Sequence, residues 1–247
     1  MATVGVIPAR GGSKRVELKN LKIFNGKPLI AWAIESARES GVFDRVIVST
    51  DDERIAEAAR QYGADVPFRQ PDELATDRSP VEPVLKYAIE WLKEHENLDT
   101  EYVALLLATN PLRQPAHVQK ALEILRATGA DSVVAVNETP ANHTPYWTLV
   151  RNPETQKVEL FGGIPMKNIY DRRQDFPQQC FARNDLVYFL KPKNLYEEKP
   201  NLYGAHLELM MTSPLFEGDI NTPEDWIDCE LKFQRIQRMI ANGEEIV

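Results

Sequence analysis

Cysteine is scarce in this chain. Its two residues, Cys180 and Cys229, stand far apart, so no zinc-ligand spacing and no disulfide framework is implied. Reduced thiols in the cytoplasm are the expectation. The four histidines, His95, His117, His143 and His206, show no metal-site spacing either, and no Ser/His/Asp order stands out; core or surface roles are expected of them. No apolar run approaches the ~20 residues a membrane span needs. The N-terminus has no charged segment before its short apolar run, so neither a membrane anchor nor a secretory leader is expected. Positive charge is not in excess: the net charge is −8 and the sequence pI about 5.2, which argues against a bulk-basic nucleic-acid binder. Repeats and low-complexity tracts are absent. Two nucleotide fingerprints are missing as well, GxxxxGK[ST] and a GxGxxG after the first strand.

What is present is a chain of 247 residues that is 43% hydrophobic. That is enough for a real core and suggests one domain over 1–247. The N-terminal stretch VGVIPARGGSKR, followed by LKN, is its most informative segment. An apolar run from Val4 to Ile7 leads through Pro8 and Ala9 into Arg10, Gly11, Gly12, Ser13, Lys14 and Arg15, with Lys19 and Asn20 close behind. Glycines let backbone N–H groups approach a ligand, and such a nest beside Arg and Lys suits phosphate oxygens. The competing reading is a solvated turn with incidental charges. Four cations within ten residues of an acidic chain favour the phosphate reading, since such a chain must concentrate positive charge where an anion binds.

Strand and helix signals alternate from the start. Val4–Pro8 reads as a central strand, and Pro28–Arg38 as a helix whose apolar residues recur at 3/4 spacing. Arg45–Ser49 is a β-branched run ending near Asp51 and Asp52. Glu53–Tyr62 reads as a helix closed by Gly63, and a short strand is expected near Val66–Phe68. A helix over Val81–Glu94, a strand over Tyr102–Leu107, a helix over Ala116–Arg126 and a strand over Ser132–Val136 continue the rhythm. The expected fold class is α/β: a Rossmann-like, mostly parallel sheet with helices on both faces. Ligands of such sheets sit at the carboxyl ends of the strands, where PARGGSK, STDD and TNPLR all fall. Residues 139–176, punctuated by prolines, read as a β-rich excursion. Asn184–Leu190 and His206–Met211 resume the strand pattern, and a last helix runs from Pro223, with Thr222 as its N-cap.

The pattern PARGGSKR…LKN resembles the start of the acylneuraminate cytidylyltransferase family. The resemblance continues through NGKPLIAWAI, FDRVIVSTDD and a downstream RRQ segment, from about Val4 to Trp226. It implies a nucleotidyltransferase using CTP and a nonulosonic acid of the sialic, legionaminic or pseudaminic type. The product would be a CMP-sugar for cell-surface polysaccharide synthesis. By this resemblance Arg10 and Lys19 are the catalytic cations, and Ala9, Arg10, Gly11, Gly12, Ser13, Lys14, Asn20, Arg69 and Thr109 bind the nucleotide. Arg173, Gln174 and Asn184 bind the sugar acid, whose carboxylate a guanidinium holds well. In EGDINTPED, Asp219 and Asn221 stand where the family has two aspartates holding Mg²⁺, with Mn²⁺ as an alternative. Asn221 either ligates the metal or caps the last helix.

Other departures from the family are Arg15 and Asp185, each where glycine is common, and Leu107-Ala108 in place of Gln-Pro. Asp185 puts a carboxylate where it can reject or recognise a sugar substituent. Another base or a sugar 1-phosphate is the alternative reading of the substrates, and a non-catalytic nucleotide-binding protein the remoter one. Asp51 is expected near the ribose or metal, with at most one of Asp51 and Asp52 facing the crevice, because neighbours on a strand point oppositely. The apolar residues of 139–176, among them Tyr146, Trp147, Leu149, Leu160, Phe161 and Ile164, imply a homodimer interface. The family also dimerises there and lends a basic residue, here Arg172 or Arg173, to the neighbour's sugar site.

Overall fold

The computed structural model describes residues 1–12, 15–76 and 79–244. Strand β1 (Ala2–Pro8) is followed by a small hairpin, β2 (Ile23–Phe24) and β3 (Lys27–Pro28), and by helix α1 (Leu29–Glu39). Next come β4 (Arg45–Ser49), α2 (Glu53–Gln61), α3 (Glu82–Glu96), β5 (Thr100–Leu105), α4 (Pro115–Thr128) and β6 (Ser132–Glu138). A second hairpin, β7 (Leu149–Arg151) and β8 (Val158–Leu160), precedes β9 (Phe181–Leu190), β10 (Leu207–Met211) and α5 (Pro223–Ala241).

Six strands form the main sheet in the order β10-β6-β9-β5-β1-β4. β1 runs parallel to β4 and β5, and β10 parallel to β6; β9 alone is antiparallel to its neighbours. The expected mostly parallel sheet is present, and β9 supplies its one reversal. Burial on both faces explains the near-continuous apolar runs of β1, β4 and β6. Val4 and Val6 pack on one face with Leu85, Ala88 and Leu92 of α3. Ile7 turns to the other face, among Ile34, Leu122 and Phe233 of α1, α4 and α5.

Local chemistry sets the helix ends. Asp52 caps α2 by accepting from Arg54 N at 2.9 Å. Thr222 caps α5, with Asp225 reaching back to its N–H at 2.7 Å and Pro223 in the first turn; these contacts satisfy amides that helix geometry leaves open. Gly129, at φ 66°, closes α4 in the left-handed conformation that favours glycine.

Two expectations need correction. Val66–Phe68 is not a strand: the nearest pairing is one isolated bridge, Ile47 to Asp65, a residue before the segment, and Pro67 has no N–H with which to extend a ladder. The excursion at 139–176 is less β-rich than its composition suggests, holding one three-residue hairpin among single helical turns. Its prolines interrupt any longer pairing. No helix among the described residues is long and apolar enough to cross a membrane.

Candidate active site

The carboxyl ends of β1, β4 and β5 lie side by side, so the three loops read from the sequence converge. Ala9 is buried and its N–H donates to the Ser49 carbonyl at 2.9 Å. The Gly11 N–H donates to Asp51 Oδ1 at 2.8 Å. A Cβ placed on Gly11 would lie 2.7 Å from Asp52 Oδ2, whereas one on Gly12 would meet nothing within 4 Å among the described residues. Both aspartates therefore pack against the cationic loop. The one-face expectation fails because β4 ends at Ser49 and strand alternation does not extend to Asp51 and Asp52. Ser13 and Lys14 lie outside the described residues.

Arg10, Lys19 and Asn20 come together with the far end of the chain. Asn20 is buried and its amide donates to the Arg10 carbonyl at 3.1 Å. Lys19 Nζ donates to the Ile220 carbonyl at 2.7 Å. Burial pulls the Lys19 ammonium below its ordinary range; Asp219 opposes that shift and Arg10 adds to it. Lys19 thus stands between a like charge and an opposite one. The Ile220 N–H donates to the Thr109 carbonyl at 2.9 Å, which binds the loop after β5 to the same cluster.

A ladder of buried amides carries the connection into β9. Asn110 Nδ2 donates to the Asn184 carbonyl at 3.2 Å. Asn184 Nδ2 donates to Asn137 Oδ1 at 3.0 Å and to Thr212 Oγ1 at 2.5 Å, and the Leu186 N–H donates to Asn184 Oδ1. Asn137 Nδ2 reaches Glu217 Oε2 at 3.2 Å. Asn184 is thus held beneath the site with its side chain engaged on both ends. Arg113 is buried as well, donating to the carbonyls of Leu107 at 2.8 Å and Leu186 at 2.5 Å. Burial lowers its guanidinium to about 9. Asn110, Asn137, Thr212 and Arg113 form this framework but escape a functional reading of the sequence. The available signal was a polar residue inside an apolar strand or loop, as in VAVNE and ATNPLR.

Arg69, and Arg173 with Gln174, stand apart from this cluster, whereas Asp219 belongs to it. Arg69 is exposed, 3.9 Å from Asp72, and lines a cavity of about 230 Å³ with Asp51, Asp52 and Phe68. Arg173 and Gln174 line another of about 370 Å³ with Glu138, Thr139 and Cys180, and Arg173 lies 3.8 Å from Glu138. Asp219 opens onto a third cavity, of about 360 Å³, with Arg183, Asn184, Asp185, Glu217 and Lys232.

Asn221 Nδ2 donates to Asp219 Oδ2 at 2.5 Å, so the two side chains are neighbours. No group of three or more Asp, Glu, His or Cys among the described residues is arranged as a metal cage. One carboxylate and one amide oxygen suit a hard cation that keeps waters and substrate oxygens in its shell. The same geometry shows Thr222, not Asn221, as the cap of α5.

Cationic loops at the carboxyl ends of a parallel sheet, facing an acidic corner, suit a nucleoside triphosphate. The cytidylyltransferase family model matches residues 4–242. The chain belongs to the cytidylyltransferase family. Among relatives of this cytidylyltransferase is the CMP-N,N'-diacetyllegionaminic acid synthase of Legionella pneumophila, 36% identical over 92% of this chain and 94% of the relative. The pseudaminic acid cytidylyltransferase of Campylobacter jejuni is 44% identical over 91% of this chain and 93% of its own. A solved structure of a CMP:2-keto-3-deoxy-manno-octonic acid synthetase complexed with CTP superposes with a TM-score of 0.69, at 20% identity, over 96% of this chain and all of the other. That likeness establishes the shared fold.

Proposed function

We propose that this cytidylyltransferase transfers CMP from CTP to the anomeric hydroxyl of a nonulosonic acid, of the sialic, legionaminic or pseudaminic type, releasing pyrophosphate. The observation that carries the proposal is the Lys19–Ile220 hydrogen bond, which holds an ammonium beside Asp219 and Arg10. The names of the relatives support the nonulosonic acceptor.

The anomeric oxygen attacks the α-phosphorus in line, its proton passes to solvent, and the bond to the bridging oxygen breaks as pyrophosphate leaves. Arg10 and Lys19 stabilise the charge that develops on the phosphate oxygens. Gly11, its N–H held by Asp51, sets the path of the loop, Gly12 offers its backbone N–H to the phosphates, and Ser13, Lys14 and Asn20 complete the nucleotide set. Arg69 and Thr109 attend the nucleoside side. Arg173 and Gln174 receive the sugar carboxylate, and Asn184, its amide held by Asn137 and Thr212, lines the sugar-acid side with them. Asp219 and Asn221 would hold Mg²⁺, or Mn²⁺, which when bound supplies charge neutralisation at the phosphates. Reduced Cys180 and Cys229 suit a cytoplasmic reaction.

The active form we propose is a homodimer joined through 139–176. Leu149, Phe161 and Ile164 are 54%, 57% and 41% exposed, consistent with a surface awaiting a second copy. Leu160 is buried, and Tyr146 and Trp147 pack on Phe176 within the same segment, so those three hold the excursion together. Light scattering at micromolar concentration checks this: twice the chain mass is expected, and a monomer contradicts it. A pyrophosphate-release screen crossing four nucleoside triphosphates with nonulosonic acids, octulosonic acid and sugar 1-phosphates checks the reaction. Release should require CTP and a nonulosonic acid; release only with another nucleotide or with a sugar 1-phosphate overturns the assignment.

A further inference from the structure

β9 loses register with β6 in the middle of the sheet. Val134 and Val136, two apart on β6, pair with Tyr188 and Arg183, five apart on β9. The surplus residues bulge out, and bulges beside active sites re-aim side chains. Asp185 sits in this bulge at φ 56°, a left-handed conformation in which glycine is at ease and which, of the other residues, Asn and Asp adopt most readily. A side chain held there at some conformational cost calls for a reason.

Its surroundings supply one. Asp185 faces the cavity shared with Asp219, Glu217, Arg183 and Lys232. One carboxylate oxygen, Oδ1, accepts from Tyr188 Oη, whose ring is buried in β9. The preceding residue, Asn184, is pinned by its amide bonds to Asn137 and Thr212. Asp185 is thereby preorganised, and a carboxylate has a second oxygen to offer. The same cavity already carries Glu217, Asp219, Asp225 and Asp228. Arg183 and Lys232 line it too, and the Arg183 guanidinium feels the Asp185 carboxylate, so this anion is partly balanced; a substrate that brings a hydrogen-bond donor to its second oxygen gains a charge-assisted bond.

We propose that Asp185 is a specificity-determining residue. Its carboxylate accepts a hydrogen bond from a hydroxyl or acylamino N–H of the sugar acid and discriminates against acids in which that donor is missing or alkylated. The inference rests on the reaction proposed above and names the acceptor class within it. A site built to receive a substrate donor rejects the analogue lacking it, because its own polar group is then left unpaired.

The test is a cycle of substrates against variants. The parent acid is whichever of N-acetylneuraminic, N,N'-diacetyllegionaminic and pseudaminic acid gives the highest kcat/KM with CTP. It is compared with its single-position deoxy, deacylamino and O-methyl analogues, using the unmodified protein, Asp185→Asn and Asp185→Gly. Glycine suits the backbone at this position, so a thermal midpoint equal to or above that of the unmodified protein is expected of Asp185→Gly. At one position of the sugar, removing the donor should lower kcat/KM about 10- to 100-fold in the unmodified protein, the scale of a hydrogen bond to a charged group. In Asp185→Gly the same change should cost less than about 3-fold, with Asp185→Asn in between. An equal loss for parent and analogues in Asp185→Gly, or unchanged discrimination, overturns the inference while leaving the reaction standing. If the unmodified protein turns over none of the parent acids, the proposed reaction falls and this inference with it.

Discussion

The Lys19 ammonium donates to the Ile220 carbonyl at 2.7 Å, joining residues near opposite ends of the chain. The bond sets a cation of the N-terminal loop next to Asp219 in the segment before α5. Because the Ile220 N–H also donates to the Thr109 carbonyl, one residue couples the loop after β1 to the loop after β5.

Replacing Lys19 or Arg10 by alanine should lower turnover by about 10²- to 10³-fold, the scale of losing one charge-stabilising donor. Steady-state kinetics on purified variants with native circular dichroism check this. Near-normal turnover in both would remove them from the chemistry.

Gly11 and Gly12 should respond differently although adjacent. A methyl group on Gly11 collides with the Asp52 side chain, at 2.7 Å from its Oδ2 and 2.8 Å from its Cβ, so Gly11→Ala should displace the loop and lower kcat/KM about tenfold or more. Gly12→Ala meets no atom of the described residues within 4 Å. It should keep the thermal midpoint and raise the KM for CTP, since only the ligand approaches there. A normal KM for CTP in Gly12→Ala would show that the nucleotide does not approach Gly12.

Much of this arrangement was legible in the sequence. The loops at PARGG, STDD and TNPLR each follow an apolar run, and a parallel sheet brings such ends together whatever the details. The Asn184 reading was legible only in part. Its place in RNDLVYFL marks a strand, but its partners are distant in sequence, Asn137 on β6 and Thr212 just past the end of β10. Pairing across the sheet, which brings β9 between β5 and β6, decides that contact. The Asp185 bulge was likewise hidden, because a register shift depends on β6 as much as on β9. The disposition of Asp51 and Asp52 was misjudged because alternation holds only while the strand lasts, and the strand stops two residues earlier.

Removal of divalent metal with EDTA should abolish activity, and Mg²⁺ or Mn²⁺ should restore it. Asp219→Ala should raise the metal concentration needed for half-maximal rate and lower turnover. Asn221→Asp should reduce that concentration by adding a negative oxygen ligand. Full activity in EDTA would contradict the assignment of Asp219 and Asn221.

His117 gives a pH dependence of stability. It is buried, its Nδ1 accepts from the Gln114 N–H at 3.1 Å, and burial together with Arg113 lowers it to about 4. The unfolded chain binds this proton near the ordinary value of 6.5, so neutral His117 stabilises the fold fully above about pH 6.5. That contribution is lost as pH falls towards 4, with an upper bound on the order of 3 kcal/mol. Urea midpoints should fall between pH 7 and pH 4.5, and fall less in His117→Asn. Equal slopes in both proteins would show that His117 is not the group responsible.

The central claim is transfer of CMP to the anomeric oxygen of a nonulosonic acid. Phosphorus NMR of the purified protein with CTP, Mg²⁺ and N-acetylneuraminic, N,N'-diacetyllegionaminic or pseudaminic acid tests it most directly. With at least one of these acids, the three triphosphate signals should give way to one phosphodiester signal, coupled to the sugar, and pyrophosphate in equal amounts. Orthophosphate with CDP, free CMP without a phosphodiester, or no change with any of the acids would contradict the account.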